Sequence, residues 1–174
     1  KTFGDYHEFF ENEKRKHPVS QEAKDMEDLV KRDDNFAVKI NNVSRLFFNT
    51  AGEPVAAVNG VSLGIRKNSI FGFLGANGAG KTTLIKMITS MLPPSSGTIE
   101  INGVDIEKSN NPEVLSICPQ FNSHLCAEMT PNEHFYMYSF IHRLDKNVAK
   151  ESTERLINEL DMKHLADTPL RELS

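Results

Sequence analysis

Residues 69–84 read Ser69-Ile70-Phe71-Gly72-Phe73-Leu74-Gly75-Ala76-Asn77-Gly78-Ala79-Gly80-Lys81-Thr82-Thr83-Leu84. A short apolar run leads into a glycine-rich loop, and the loop leads into a helical pattern. Gly75 to Thr82 fits Gly-x-x-x-x-Gly-Lys-[Ser/Thr]. Each residue type has a physical task. Glycines let backbone N–H groups turn inward and approach an anion closely. A helix beginning near Gly80 aims its unpaired N–H groups and the positive end of its dipole at the same point. Lys81 adds a cation, and the hydroxyl of Thr82 is a hard oxygen ligand suited to Mg²⁺. The ligand this chemistry suits is a chain of phosphates. The loop alone does not separate GTPases, kinases, helicases and transport ATPases, which share it.

Downstream, Leu84, Ile85, Ile88, Met91 and Leu92 share one face of a helix over residues 81–92, stopped by Pro93-Pro94. Residues 98–101 predict a strand and Asn102-Gly103 a hairpin turn. Residues 114–117 are a further short buried strand. Thr130-Pro131-Asn132-Glu133 has an N-cap, a proline at N1 and a glutamate at N3, so a helix is expected over 131–143. A second follows over 146–161, then a connector over 162–173.

Upstream, the apolar residues 69–74 predict a buried parallel strand, and Lys67-Asn68 a turn. Phe36, Val38, Ile40, Val43 and Leu46-Phe47 mark one strand, and Val55, Ala57, Val61, Leu63 and Ile65 a second. Asn49 to Pro54 is the turn of this antiparallel pair. Residues 1–34 differ in kind, with 7 Lys/Arg and 10 Asp/Glu. They read as a solvated linker with short helices. The alternative is that the stripe Phe3, Tyr6, Phe9 and Phe10 rests on a partner outside the chain. His17-Pro18 punctuates between the two helical patterns.

Composition limits the function classes. The chain has 174 residues, 39% hydrophobic and 25% charged, which suits one globular domain with an extension. A net charge of −4 speaks against a nucleic-acid backbone as partner, and none is expected. Two cysteines, Cys118 and Cys126, make no disulfide framework, and their spacing with His124 is not that of a zinc site. The six histidines read as surface or interface residues. No apolar stretch approaches the ~20 residues that cross a bilayer.

Four features then occur in a telling order. They are Asn77 to Leu84; Pro94-Ser95-Ser96-Gly97-Thr98-Ile99 with Ile101-Asn102-Gly103; Ile117-Cys118-Pro119-Gln120; and Leu173-Ser174. In these the chain resembles the nucleotide-binding domain of an ABC transporter from about residue 36 to residue 174. Phe71 to Gly75, Cys118 to Asn122 and the lead-in Glu27 to Arg32 are most similar to the A subfamily, which mostly handles lipids. The resemblance implies an α/β fold. Its P-loop ATPase core has a mostly parallel sheet, an antiparallel β subdomain and a helical subdomain over about 122–172. Residues 1–34 become the lead-in from a membrane domain, and 35–174 the N-terminal part of the ATP-binding domain.

Residue roles follow from the same resemblance. Gly75, Ala76, Asn77, Gly78, Ala79, Gly80, Lys81, Thr82 and Thr83 hold the phosphates of ATP. Phe47 aligns with the aromatic that stacks on adenine, with Phe48 as its rival. Thr82 and Gln120 serve Mg²⁺, and Lys81 and Gln120 take part in catalysis. Ser174 aligns with the signature serine, which touches the γ-phosphate held by a second nucleotide-binding domain. Further implied partners are the transmembrane domains of the same polypeptide, on the cytoplasmic face of a membrane. A soluble, non-transport ABC ATPase acting on nucleic acid or ribosomes is the alternative, and a pure binding module a third reading. Two departures stand out: Asn68-Ser69 where the family has Gly-Glu, and Ala76 where proline is common. Asn68 should tolerate the left-handed backbone that glycine would supply. The family's catalytic Asp-Glu pair and switch histidine follow the signature. The resemblance therefore implies a C-terminally incomplete domain, an ATPase only in a full-length parent and inactive as these 174 residues.

Overall fold

The alternating residues on either side of the Asn49 turn fold into a long antiparallel hairpin. β1 (Phe36–Phe48) and β2 (Pro54–Arg66) pair from Phe36↔Arg66 to Phe48↔Pro54. The structure, a computed structural model, describes residues 6–16, 19–33, 35–108, 115–120 and 124–173. Asn49 locks the hairpin turn: its Oδ1 accepts from the N–H of Ala51 and of Glu53, and its Nδ2 donates to Glu53. This is the local side-chain bonding that makes Asn a turn residue. β3 (Ser96–Ile101) pairs with the other edge of β1 and continues into β4 (Val104–Asp105), giving the order β2-β1-β3-β4. Asn102 and Gly103, at φ 50° and 79°, form the tight turn between them.

α3 (Lys81–Ile88) lies on this sheet. Its Leu84 and Met87 are buried with Val38, Ile40, Val43, Val58 and Ile99. The helix ends four residues earlier than the apolar pattern suggests. Thr89 bonds through its hydroxyl to the carbonyl of Ile85, Ser90 is left-handed at φ 57°, and Met91 is exposed. A hydroxyl bonding backwards competes with continuation of the helix.

Two further expectations differ. Residues 69–74 form no strand, and Ile70 and Leu74 are exposed. Residues 115–117 are likewise irregular; residue 114 lies outside the described residues. Every strand pair among the described residues is antiparallel, so the parallel core sheet is not present there. A parallel strand must satisfy its N–H and C=O groups on neighbours, and among the described residues no strand pairs with either run.

The two short helices expected within residues 1–34 are present, and they pack on the hairpin rather than standing free in solvent. α1 (His7–Lys16) packs against β2, and α2 (Gln21–Arg32) against β1 and β2. Phe10 is 3% exposed and Val30 0%. The Tyr6 ring meets Phe48 edge-on at 5.6 Å. The aromatic stripe thus rests in part on this chain's own hairpin, because an amphipathic face will cover any apolar surface within reach. Phe3 and His17-Pro18 lie outside the described residues.

Residues 118–174 form a second unit. Thr130 and Glu133 make the reciprocal capping box, and α4 (Pro131–Ile141) follows, then α5 (Lys146–Glu159) capped by Asp145. A 3₁₀ turn at Leu170–Glu172 closes it, with Arg171 paired to Glu128. His134 corrects the surface reading of the histidines: it is 6% exposed. Its Nε2 accepts from the Cys126 N–H at 3.0 Å, so Nδ1 carries the proton and donates to the Thr130 carbonyl, also at 3.0 Å. One ring thereby ties the loop before α4 to its first turn. His134→Phe removes both bonds at similar volume and leaves the part-buried Cys126 N–H without its acceptor. A loss of ~1–3 kcal/mol is expected, read as a lower urea midpoint of this unit; an unchanged midpoint contradicts the bridging role.

Candidate phosphate-binding site

The loop is set by a contact between its last glycine and β2. Gly80 precedes α3 with φ 84°, and a Cβ placed there would stand 2.3 Å from the Ala57 carbonyl oxygen and 3.2 Å from the Val58 side chain. No other residue fits, on conformation and on space. Gly78 shares the left-handed backbone, at φ 83°, but has nothing within 4 Å of a Cβ. Its side faces open space. The two glycines are needed for different reasons.

Around this anchor the loop closes on itself. Ala79 N–H donates to the Ala76 carbonyl at 3.2 Å. Lys81 Nζ folds back and donates to the carbonyls of Gly75 and Ala76, both at 2.7 Å. The first intrahelical bond is Leu84 N–H to the Gly80 carbonyl, at 2.9 Å. The N–H groups of Lys81, Thr82 and Thr83 therefore precede the ladder and point out of its N-terminal end. Residues 75–79 and Thr82 are exposed. Open amides, a dipole end and an ammonium converge on one patch, and an anion rich in oxygen atoms is what they can hold. The exposed Thr82 hydroxyl beside them fits a hard divalent cation. Among the described residues no cluster of His, Cys, Asp and Glu could hold a metal by itself. Asn68, at φ 54°, does take the left-handed conformation expected of it.

The aromatic candidates separate. Phe47 pairs with Val55, two residues before Ala57. That spacing sets it roughly 7 Å along the strand from the carbonyl that fixes Gly80. Phe47 is 39% exposed, and the Arg45 guanidinium lies over its ring, 5.0 Å from the centroid. Phe48 instead meets Tyr6. Gln120 is an exposed bend residue of the second unit, and Ser174 lies outside the described residues. Arg45 was missed by sequence reasoning, although its place two residues before Phe47 on a strand puts both on one face.

Comparison with known proteins agrees with this geometry. The family model described as ABC transporter matches residues 58–174. ABC transporter A family member 8 of Arabidopsis thaliana is 32% identical over 156 residues, 87% of this chain and 17% of that protein. The human retinal-specific phospholipid-transporting ATPase ABCA4 is 31% identical over 169 residues, 90% of this chain and 7% of that protein. The chain thus spans under a fifth of the length of these relatives. Among solved structures, cbiO1 from Clostridium perfringens, part of the ABC transporter complex cbiONQ, superposes with TM-score 0.67 at 21% identity, over 80% of this chain and 56% of that one. The ATP-binding cassette MJ0796, a dimer bound to ADP and Pi, gives 0.62 at 19%, over 79% and 63%. These neighbours share the fold. The chain belongs to the ABC transporter family, as part of its ATP-binding domain.

The loop contacts rank two substitutions. Gly78→Ala meets only left-handed strain and should cost ~1–2 kcal/mol. Gly80→Ala adds an overlap with backbone that cannot move aside, so its loss of unfolding free energy should be clearly larger. Equal urea midpoints for the two variants would show that the Ala57 contact does not set the loop.

Proposed function

We propose that this chain binds the triphosphate of ATP at the N-terminal end of α3, as the nucleotide-binding part of a transporter of the A family. The observation that carries the reading is the loop itself: Gly80 seated against Ala57, with the Lys81 ammonium folded over Gly75 and Ala76. Backbone N–H groups from Gly75 to Thr83 would bind the phosphate oxygens. Lys81 would exchange the two carbonyls for the β- and γ-phosphates. The amine is held by neutral acceptors, so a doubly anionic ligand wins the competition. Thr82 would hold Mg²⁺, with Gln120 as the second ligand the resemblance gives it; the ion supplies neutralisation of charge on the phosphates. Phe47 would stack on the adenine, fixing the nucleotide at its other end.

In the parent protein two such domains would close on ATP, as the dimeric form of MJ0796 suggests, and hydrolysis would drive membrane helices between two states. Ser174 would reach the nucleotide of the partner domain. Membrane attachment at the cytoplasmic face, through residues 1–34, and a lipid substrate are further parts of this proposal. The second is supported by the similarity to a phospholipid-transporting relative.

Lys81→Ala should weaken Mg·ATP by roughly 10- to 150-fold, the worth of a charge-assisted contact. A fluorescent ATP analogue titrated against both proteins reads this directly; equal affinities at matched folding remove the assignment. Hydrolysis requires a base near the attacking water, and the resemblance puts that carboxylate after the signature. A protein of these 174 residues is therefore expected to bind ATP without turning it over. Phosphate release that depends on Lys81 and approaches about 1 s⁻¹ would contradict that.

A further inference from the structure

Arg45 has no part in any of the roles above, yet its surroundings are specific. It lies partly buried on β1, and its Nη1 donates to the Pro93 carbonyl at 2.7 Å. Its Nε is buried and has no partner, and no carboxylate reaches it among the described residues. What it does meet is the Phe47 ring, across one face, 5.0 Å from the centroid. Pro93 lies five residues beyond Ile88, so the guanidinium links the segment after α3 to the aromatic at the hairpin tip. The tip is itself stiffened by the Asn49 network.

We propose that Arg45 is a positioning residue for base recognition: it holds the Phe47 ring from behind and leaves the opposite face to the purine. This rests on reading Phe47 as the base platform. Two physical effects follow from the stack. The ring cannot rotate into the space the guanidinium fills, so less side-chain freedom is lost when a base arrives. The cation also draws the ring's π-density towards itself, leaving the free face better suited to an electron-rich purine. A carboxylate beside the arginine would cancel the second effect, and none is present among the described residues. Phe48 has no such backing, since its neighbour is Tyr6 and the contact is edge-on. The platform is thus singled out between two adjacent phenylalanines by a residue neither of them contacts in sequence.

The test compares ATP with inorganic triphosphate, which lacks the base, as competitors of a fluorescent ATP analogue on the full 174-residue chain. Arg45→Gln keeps a donor for Pro93 and loses the cation. It should lower the preference for ATP over triphosphate by roughly two- to fivefold, the worth of an exposed cation–π contact. Arg45→Lys should recover part of that preference. In a Phe47→Ala background, Arg45→Gln should change the preference no further. Arg45→Met is the second neutral variant if Arg45→Gln does not fold. If Phe47→Ala lowers the preference and the neutral Arg45 variants do not, or if they weaken both ligands equally, the inference is overturned. If Phe47→Ala itself leaves the preference unchanged, the fault lies in the platform reading rather than in Arg45.

Discussion

The absence of a side chain at Gly80 is the constraint on which the rest of the site depends. A backbone carbonyl of β2 occupies the space a Cβ would take. The loop can therefore be drawn tight against the sheet, and the left-handed turn at Gly80 delivers the chain directly into α3. Leu84 and Met87 then hold that helix on the hydrophobic core. The Gly80 contact joins the sheet to the start of the helix, and the open amides face out from there. Sequence, local conformation and packing agree there, as they must for a short loop to keep one geometry.

The hairpin has a second role beside its share of the core. Its middle, at Ala57 and Val58, supports the phosphate loop. Its tip, at Phe47 and Val55, stands about two residues away along the strand. In the proposed function, a triphosphate and a base would thus be addressed by one paired ladder rather than by two separate segments. The Asn49 turn and the Arg45 contact both stiffen the tip. A site built on paired strands holds its groups more accurately than one built on loops.

The residues that were legible in the sequence share a property: their chemistry is local. Gly78, Gly80, Lys81 and Thr82 are fixed by spacing alone. Thr130 with Glu133, and Asn102 with Gly103, carry their own hydrogen bonds or backbone preference. What was misread depends on distant partners. The apolar run at Ile70 to Leu74 has the composition of a buried strand, but composition does not supply a neighbour to pair with. Phe10 and Val30 sit in a segment half charged, and their burial depends on β1 and β2, which no local pattern in 1–34 announces. His134 is buried because Cys126 and Thr130 bracket it, and Arg45 is informative because Phe47 and Pro93 do. Family resemblance identified the loop's class; it was silent on both of these residues.

The central claim is that the loop from Gly75 to Thr83 takes the phosphates through backbone amides fixed by the contact with β2. Backbone amide shifts in ¹⁵N-labelled protein test this most directly, followed while Mg²⁺ with inorganic triphosphate is added in the absence of any base. The account predicts saturating shifts at Gly78, Gly80, Lys81 and Thr82, with Ala57 moving alongside them and Phe47 staying still. Shifts confined to residues outside the loop, or a loop that remains unmoved at saturation, would contradict it.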